Sequence, residues 1–169
     1  MAANAIDQRA FRAALAHFPT GVAVVTAATP DGPVGMTLQS FMSLSLDPAL
    51  IMLAVDRKST TWPRIKKVGR LAINVLAEDQ EDIAMQFACS GGDKFAGVDL
   101  ASLPADPCPL IRGALTWFDC SIAETHAGGD HTITICDVNN FQIGTTECQP
   151  LVFFRSQFPK LASPAAQAV

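Results

Sequence analysis

A chain of 169 residues lies within the usual range for one domain and is long enough to bury about two-thirds of its unfolded surface. Its composition, 49% hydrophobic against 17% charged, is rich in core and lean in surface charge, so part of the apolar surplus is expected to cover a partner subunit. A net charge of −4 with twelve scattered Lys and Arg excludes the basic stripe of a nucleic-acid binder, and no run approaches the ~20 apolar residues of a membrane span.

From Asp7, "DQRAFRAALAHF" sets Phe11, Ala14, Leu15 and Phe18 at helical spacing behind a capping Asp, which predicts a helix docked by its phenylalanines. "GVAVVTAA" is a β-branched strand, "TPDG" a tight reversal, and "PVGMTLQSFMSLSL" the returning strand of a hairpin. "ALIMLAVD" and "LAINVLA" read as buried strands either side of a short helix in "TTWPRIKKVG", closed by Gly69. Glu78 to Ala88 is helical, with acids in its first turn. Cys89 to Gly113 is rich in Gly and Pro and reads as an irregular connection. "ALTWFDCSIAETH", the turn "AGGD", "HTITICDVNNFQIG" and "PLVFFR" supply a second strand group, and the tail "SPAAQAV" is expected to be disordered. Short strands with helices inserted rather than alternating predict a mainly β fold, a closed antiparallel barrel spanning residues 1–169 as one domain with its core at 11–158.

The five cysteines are odd in number and stand in no metal or disulfide spacing, so they are expected as core thiols in a reducing compartment. "MAANAIDQRA" lacks the basic and apolar regions of a signal peptide, and a cytoplasmic location is expected. There is no G-x-S-x-G, H-E-x-x-H, P-loop or G-x-G-x-x-G, and the three histidines are too dispersed for a metal site. Any chemistry is therefore expected to belong to a bound cofactor.

One stretch raises a question. In "GMTLQSFMSLSLDP" the polar positions Thr37, Gln39, Ser43 and Ser45 carry hydroxyls and an amide, whereas a water-facing strand recruits charge. Downstream, "DRKSTTWPRI" offers Ser59 or Thr60 as a helix cap with Arg57 and Lys58 ahead of it, the pattern of a phosphate site or equally of an ordinary capped helix with solvated cations. "GGDKF" adds a flexible glycine pair with Lys94. A planar heteroaromatic ring with a phosphate tail would need both an uncharged polar face and a cationic end.

In their order, "FPTGVAVVT", "GMTLQSFMSLSLDPAL", "DRKSTTW", "GRLAINVLAEDQEDIAMQFA", "DKFAGV", "GALTWFDC", "GGDHTI" and "PLVFFR" resemble the short-chain flavin reductases with the FMN-binding split-barrel fold, the reductase components of two-component flavin monooxygenases. The resemblance runs from about Phe11 to Phe158. It implies that the flavin ring lies against Met36, Thr37, Leu38, Gln39 and Ser40, where many relatives resemble "TVNSF". Asp56, Arg57, Lys58, Ser59 and Thr60 would surround the ribityl phosphate, with Phe87, Ala88 and Lys94 closing over it. It further implies that Thr20, His131 and Phe154 face the nicotinamide, that Phe153 and Phe154 stand where relatives carry an aromatic pair with Tyr, and that hydride transfer proceeds by positioning alone, with no catalytic side chain and no metal. The implied function is an NAD(P)H-dependent reduction of FMN or FAD by a homodimer that serves a monooxygenase through diffusing reduced flavin. The other readings are a tightly FMN-bound electron-transfer protein, a pyridoxamine-phosphate-oxidase-like enzyme, and a flavin-free binding module.

Overall fold

The structure is a computed structural model that describes residues 6–101, 108–144 and 147–162. The tail read as disordered lies outside the described residues. In chain order the elements are α1 (Gln8–Leu15), β1 (Thr20–Gly21), β2 (Ala23–Thr29), β3 (Gly32–Leu38), β4 (Met42–Leu46), β5 (Ala49–Asp56), α2 (Trp62–Val68), β6 (Arg70–Val75), α3 (Glu81–Ala88), β7 (Leu100–Ala101), β8 (Leu110–Ile111), β9 (Thr116–Gly128), β10 (His131–Ile143) and β11 (Val152–Phe153).

Seven strands form one antiparallel sheet in the order β3-β2-β6-β9-β10-β5-β4. The two edge strands are neighbours in sequence, so the three residues Gln39 to Phe41 must carry the chain from one edge to the other. Ser40 fixes that corner: its hydroxyl donates to Ala54 O at 2.6 Å and accepts from Ala54 N at 3.1 Å on β5. The sheet thus curls until its edges meet at one corner, a mainly antiparallel β architecture with an open seam. The expected continuous strand is therefore two, because the Ser40 corner interrupts its ladder.

Inside the curl, Val25, Leu53, Val55, Leu71 and Ile73 pack with Trp62 and Ile65 of α2. On the other face of β2, Val22, Val24 and Leu76 pack beneath Ala84 and Phe87 of α3. Burial on both faces explains why β2 reads as an unbroken apolar run rather than an alternating one. The reversal before β3 is closed by Thr29 Oγ1 donating to Gly32 O at 2.7 Å, with Gly32 at φ 103°. Gly69, at φ 76°, ends α2 as expected.

Two expectations need correction. Asp7 caps α1 through Arg9 N at 2.9 Å, but the helix buries none of its residues: Phe11 is 51% exposed and Leu15 56%, and Phe18 just beyond it is 76% exposed. Its apolar stripe faces away from the subunit's own core. The stretch Cys89 to Gly113 is not wholly irregular either, since β7 and β8 pair within it and Leu110 and Ile111 are fully buried. Asn74 holds this segment, donating from Nδ2 to Val24 O at 2.9 Å and accepting at Oδ1 from Ile111 N at 2.8 Å.

Candidate active site

Strand β3 and helix α3 are tied together twice. Thr37 Oγ1 donates to Ala84 O at 2.6 Å. Lys94 Nζ, just beyond the helix, donates to Phe87 O at 3.0 Å and to Gly35 O at 3.3 Å. That close approach requires glycine, since a Cβ at position 35 would stand 2.5 Å from Phe87 Cε1. The ammonium is partly withdrawn from water, and this desolvation lowers the Lys94 pKa below the ordinary lysine value.

Three clefts open around this junction. The first, of about 630 Å³, runs between β3, α3 and the C-terminal segment, with Thr37, Gln39, Met85, Ala88, Phe153 and Phe158 on its walls. Glu81 is its single charged side chain. A second, of about 270 Å³, is lined by Phe18, Thr20, Phe41 and again Gln39. The third, of about 280 Å³, gathers Thr60, Thr61, Arg64, Gly91, Gly92 and Lys94. Asp93 also lines it, with its carboxylate accepting from Phe95 N at 3.0 Å.

The loop after β5 is shaped by its own residues. Asp56 Oδ1 accepts from Lys58 N at 2.8 Å, and Ser59 Oγ accepts from Trp62 N at 3.1 Å while donating to Met36 Sδ at 3.7 Å. Arg57 is drawn to the β9–β10 turn, its backbone N–H donating to Asp130 O at 3.0 Å and Nη1 to Gly129 O at 3.3 Å. The cations of the anion pocket are therefore Lys94 and Arg64. Sequence reading passed over Arg64 and over the paired Gly91 and Gly92 as ligands, and only the pairing of "GGDKF" with a helix start hinted at them. With seven residues α2 is a short helix, so the positive potential comes from these side chains rather than from a helix terminus.

His131 opens β10 directly opposite Asp56 in the ladder. Its Nδ1 donates to Asp130 Oδ1 at 2.7 Å, and this hydrogen bond, with the imidazole's charge and a smaller effect of Lys58, holds the Asp130 carboxyl below the usual range. Nε2 is left as the ring's free polar atom. His131 lies beside the Asp56–Ser59 loop but lines none of the three clefts. Phe153, not Phe154, faces the first cleft, while Phe154 sits under the Arg155 guanidinium at 5.3 Å. The turn that follows holds Arg155 and Ser156 at φ 49° and 61°, a left-handed pair costing about 1 kcal/mol for each residue. It presents Ser156 and Gln157 to the same cleft.

The remaining expected residues serve as scaffold through their side chains. Leu38 is 8% exposed in the inner core, Phe87 is fully buried, and the Ser40 hydroxyl is engaged by β5. These three offer only backbone groups to a ligand. Thr20 is different: its Oγ1 is buried and has no hydrogen-bond partner among the described residues, so it would pair with a ligand atom in the second cleft. Amides and hydroxyls at one end with two cations at the other fit a neutral, polar-edged ring carrying an anionic tail.

Comparison with known proteins agrees with that donor set. A family model described as a flavin reductase like domain matches residues 15–162. A flavin reductase of Pseudomonas putida is 39% identical over 161 residues, covering 95% of this chain and 94% of that protein. The reductase subunit of a flavin-dependent monooxygenase from Mycobacterium tuberculosis is 37% identical over 166 residues, 95% of this chain and 88% of that one. Among solved structures, the NADH:FAD oxidoreductase of Streptomyces globisporus in complex with NAD and FAD fragments superposes with a TM-score of 0.87 at 33% identity, over 98% of this chain and all of that one. The chain therefore belongs to the flavin reductase-like family.

Proposed function

We infer that this chain is a single-domain NAD(P)H-dependent flavin reductase that passes a hydride to FMN or FAD and supplies reduced flavin to a partner monooxygenase. The observation that carries this reading is the junction across Gly35 and Lys94, where a polar cleft with Glu81 as its one charge adjoins a cationic pocket. A bound flavin supplies the two-electron acceptor, and one proton enters from solvent. The backbone from Met36 to Ser40 with the side chains of Thr37 and Gln39 meets the ring's carbonyl and N–H edge, because an amide both donates and accepts. Ser59, Thr60, Thr61, Arg64 and Lys94 hold the phosphate end. Thr20 stands on the nicotinamide side. His131, whose Nδ1 is held by Asp130, presents Nε2 to the carboxamide of the nicotinamide. Holding both reactants in register converts an encounter into an effectively intramolecular transfer, a gain of several kcal/mol that needs no general base.

The apolar side chains left outside the core, Phe11, Phe18, Leu46, Phe141 and Ile143, support a homodimer in which they cover one another. Five cysteines outside any disulfide fit a cytoplasmic location. No helix of the described residues is long and apolar enough to cross a membrane. The reading is tested by anaerobic assay of the purified chain with each nicotinamide and each flavin. A colourless protein that oxidises the nicotinamide only when flavin is added is the expected result. A firmly yellow protein inert to both nicotinamides would favour electron transfer instead, and light scattering at the mass of one chain would remove the dimer.

A further inference from the structure

We propose that this chain prefers FAD to FMN, and that the adenosine half of FAD lies in the groove between the β2–β3 turn and α2. The proposal rests on the flavin-reductase reading and adds the choice of flavin to it. The groove, of about 820 Å³, has Ala28, Pro30 and Asp31 on one wall and Pro63, Lys67 and Val68 on the other. It adjoins the anion pocket in two places. Arg64 lines both cavities, and Ala28 of the groove is paired across the hairpin with Pro33 of the pocket.

FMN ends at its phosphate, and a pocket of about 280 Å³ holding Arg64 and Lys94 suffices for that group. FAD continues through a second phosphate, a ribose and an adenine. Lys67 follows Arg64 by three positions on α2, hence on the same side of the helix, and puts a second positive charge where the second phosphate would leave the pocket. Neither Arg64 nor Lys67 has an anionic partner among the described residues. Beyond them the walls turn apolar, and Ala28, Pro30, Pro63 and Val68 form surfaces that suit the face of a purine. Asp31 is the groove's one carboxylate. It would repel a phosphate but accept a hydrogen bond from an adenine amine or a ribose hydroxyl. The volume lies within the range of small-molecule sites.

A reduced nicotinamide dinucleotide carries the same adenosine diphosphate. The groove, however, opens from the flavin's phosphate end, while Thr20 and His131 on the nicotinamide side line neither cavity. The flavin is therefore the assigned source.

The test is equilibrium binding of FAD and of FMN, followed by flavin fluorescence without nicotinamide, to the full chain and to Lys67→Glu and Val68→Glu. Both side chains are exposed and outside the hydrophobic core, so both variants should fold. The unaltered chain is expected to bind FAD about tenfold more tightly than FMN, and each variant to lose about tenfold for FAD with FMN held within about twofold. Equal affinity for the two flavins, or variants that weaken both alike, would overturn the proposal while leaving the reductase reading intact. A rise in the nicotinamide KM with FMN as acceptor, at unchanged FAD affinity, would overturn it by assigning the groove to the nicotinamide. Binding of neither flavin would overturn both.

Discussion

Gly35→Ala tests the junction on which the site depends. The added methyl would stand 2.5 Å and 2.7 Å from two ring carbons of Phe87 and 3.2 Å from Val25 O. Neither neighbour has room to move. Phe87 is fully buried and packs edge-on against Phe95 with centroids 4.9 Å apart, and Val25 O belongs to the adjoining strand. Two effects compete. Alanine restricts the unfolded chain and would stabilise by about 0.4–1 kcal/mol, while overpacking a filled core costs about 1–3 kcal/mol. Overpacking wins, leaving a net loss of about 1–2 kcal/mol, or roughly 2–8 °C in Tm for a domain of this size. The same displacement separates Phe87 O from Gly35 O and removes the Lys94 bridge between them, so FMN should bind several-fold more weakly. Thermal unfolding followed by circular dichroism, with fluorescence titration of FMN, reads both effects. The control is Phe87→Leu, which removes the obstructing ring edge. In that background Gly35→Ala should cost under about 0.5 kcal/mol, a coupling expected only of residues in contact. Equal penalties in the two backgrounds, or none in either, would show that the ring does not limit the approach of α3 to β3.

Lys94→Met should weaken FMN by about tenfold or more, the loss of a charge-assisted hydrogen bond, and leave riboflavin unchanged because riboflavin has no phosphate. Phosphate binding requires the ammonium, and burial lowers the Lys94 pKa, so FMN affinity should fall as pH rises, beginning at a lower pH than an ordinary lysine value of 10.5 would give. A pH-independent affinity across that range would move the phosphate elsewhere. His131→Ala should raise the nicotinamide KM much more than it alters flavin affinity; the opposite pattern would put His131 on the flavin. In native protein, iodoacetamide should modify exposed Cys89 first, while Cys136, buried and with its thiol pushed up to about 12, stays unmodified until unfolding, as mass spectrometry of the digested protein would report.

Some of this architecture was legible from residue order because its determinants are local. The Asp7 cap, the Gly69 stop and the turn before Gly32 each depend on a few adjacent residues. The β-branched runs of β2 and β6 are strands in any environment that buries both faces. What was hidden depends on distant partners. The spacing of Phe11, Leu15 and Phe18 states that they share a face but not what the face meets. Alternation was read through residues 39–41 because the bond that breaks it, Ser40 to Ala54, spans 14 positions. Arg64 has the sequence context of a solvated helix cation, and it joins Lys94 only because α3 returns to β3 over Gly35. Choosing between Phe153 and Phe154 required the pairing of Phe153 with Thr20, since a shift of one residue turns a strand side chain to the other face.

The two free edges of the curled sheet are unequal in a way that bears on aggregation. Pro33 removes an N–H near the start of β3, and the tether from Thr37 to Ala84 keeps α3 against that strand. Strand β4 has no proline, and its only irregularity is a register shift between Ser43 and Ser45. Met42 and Leu44 are 43% and 40% exposed and Leu46 is 92% exposed along that edge. A subunit whose β4 is uncovered presents unpaired backbone amides and apolar side chains together, the combination that templates strand addition by another chain. Heat inactivation should therefore be concentration-dependent and begin at β4, and a single lysine in place of Leu46 should slow precipitation.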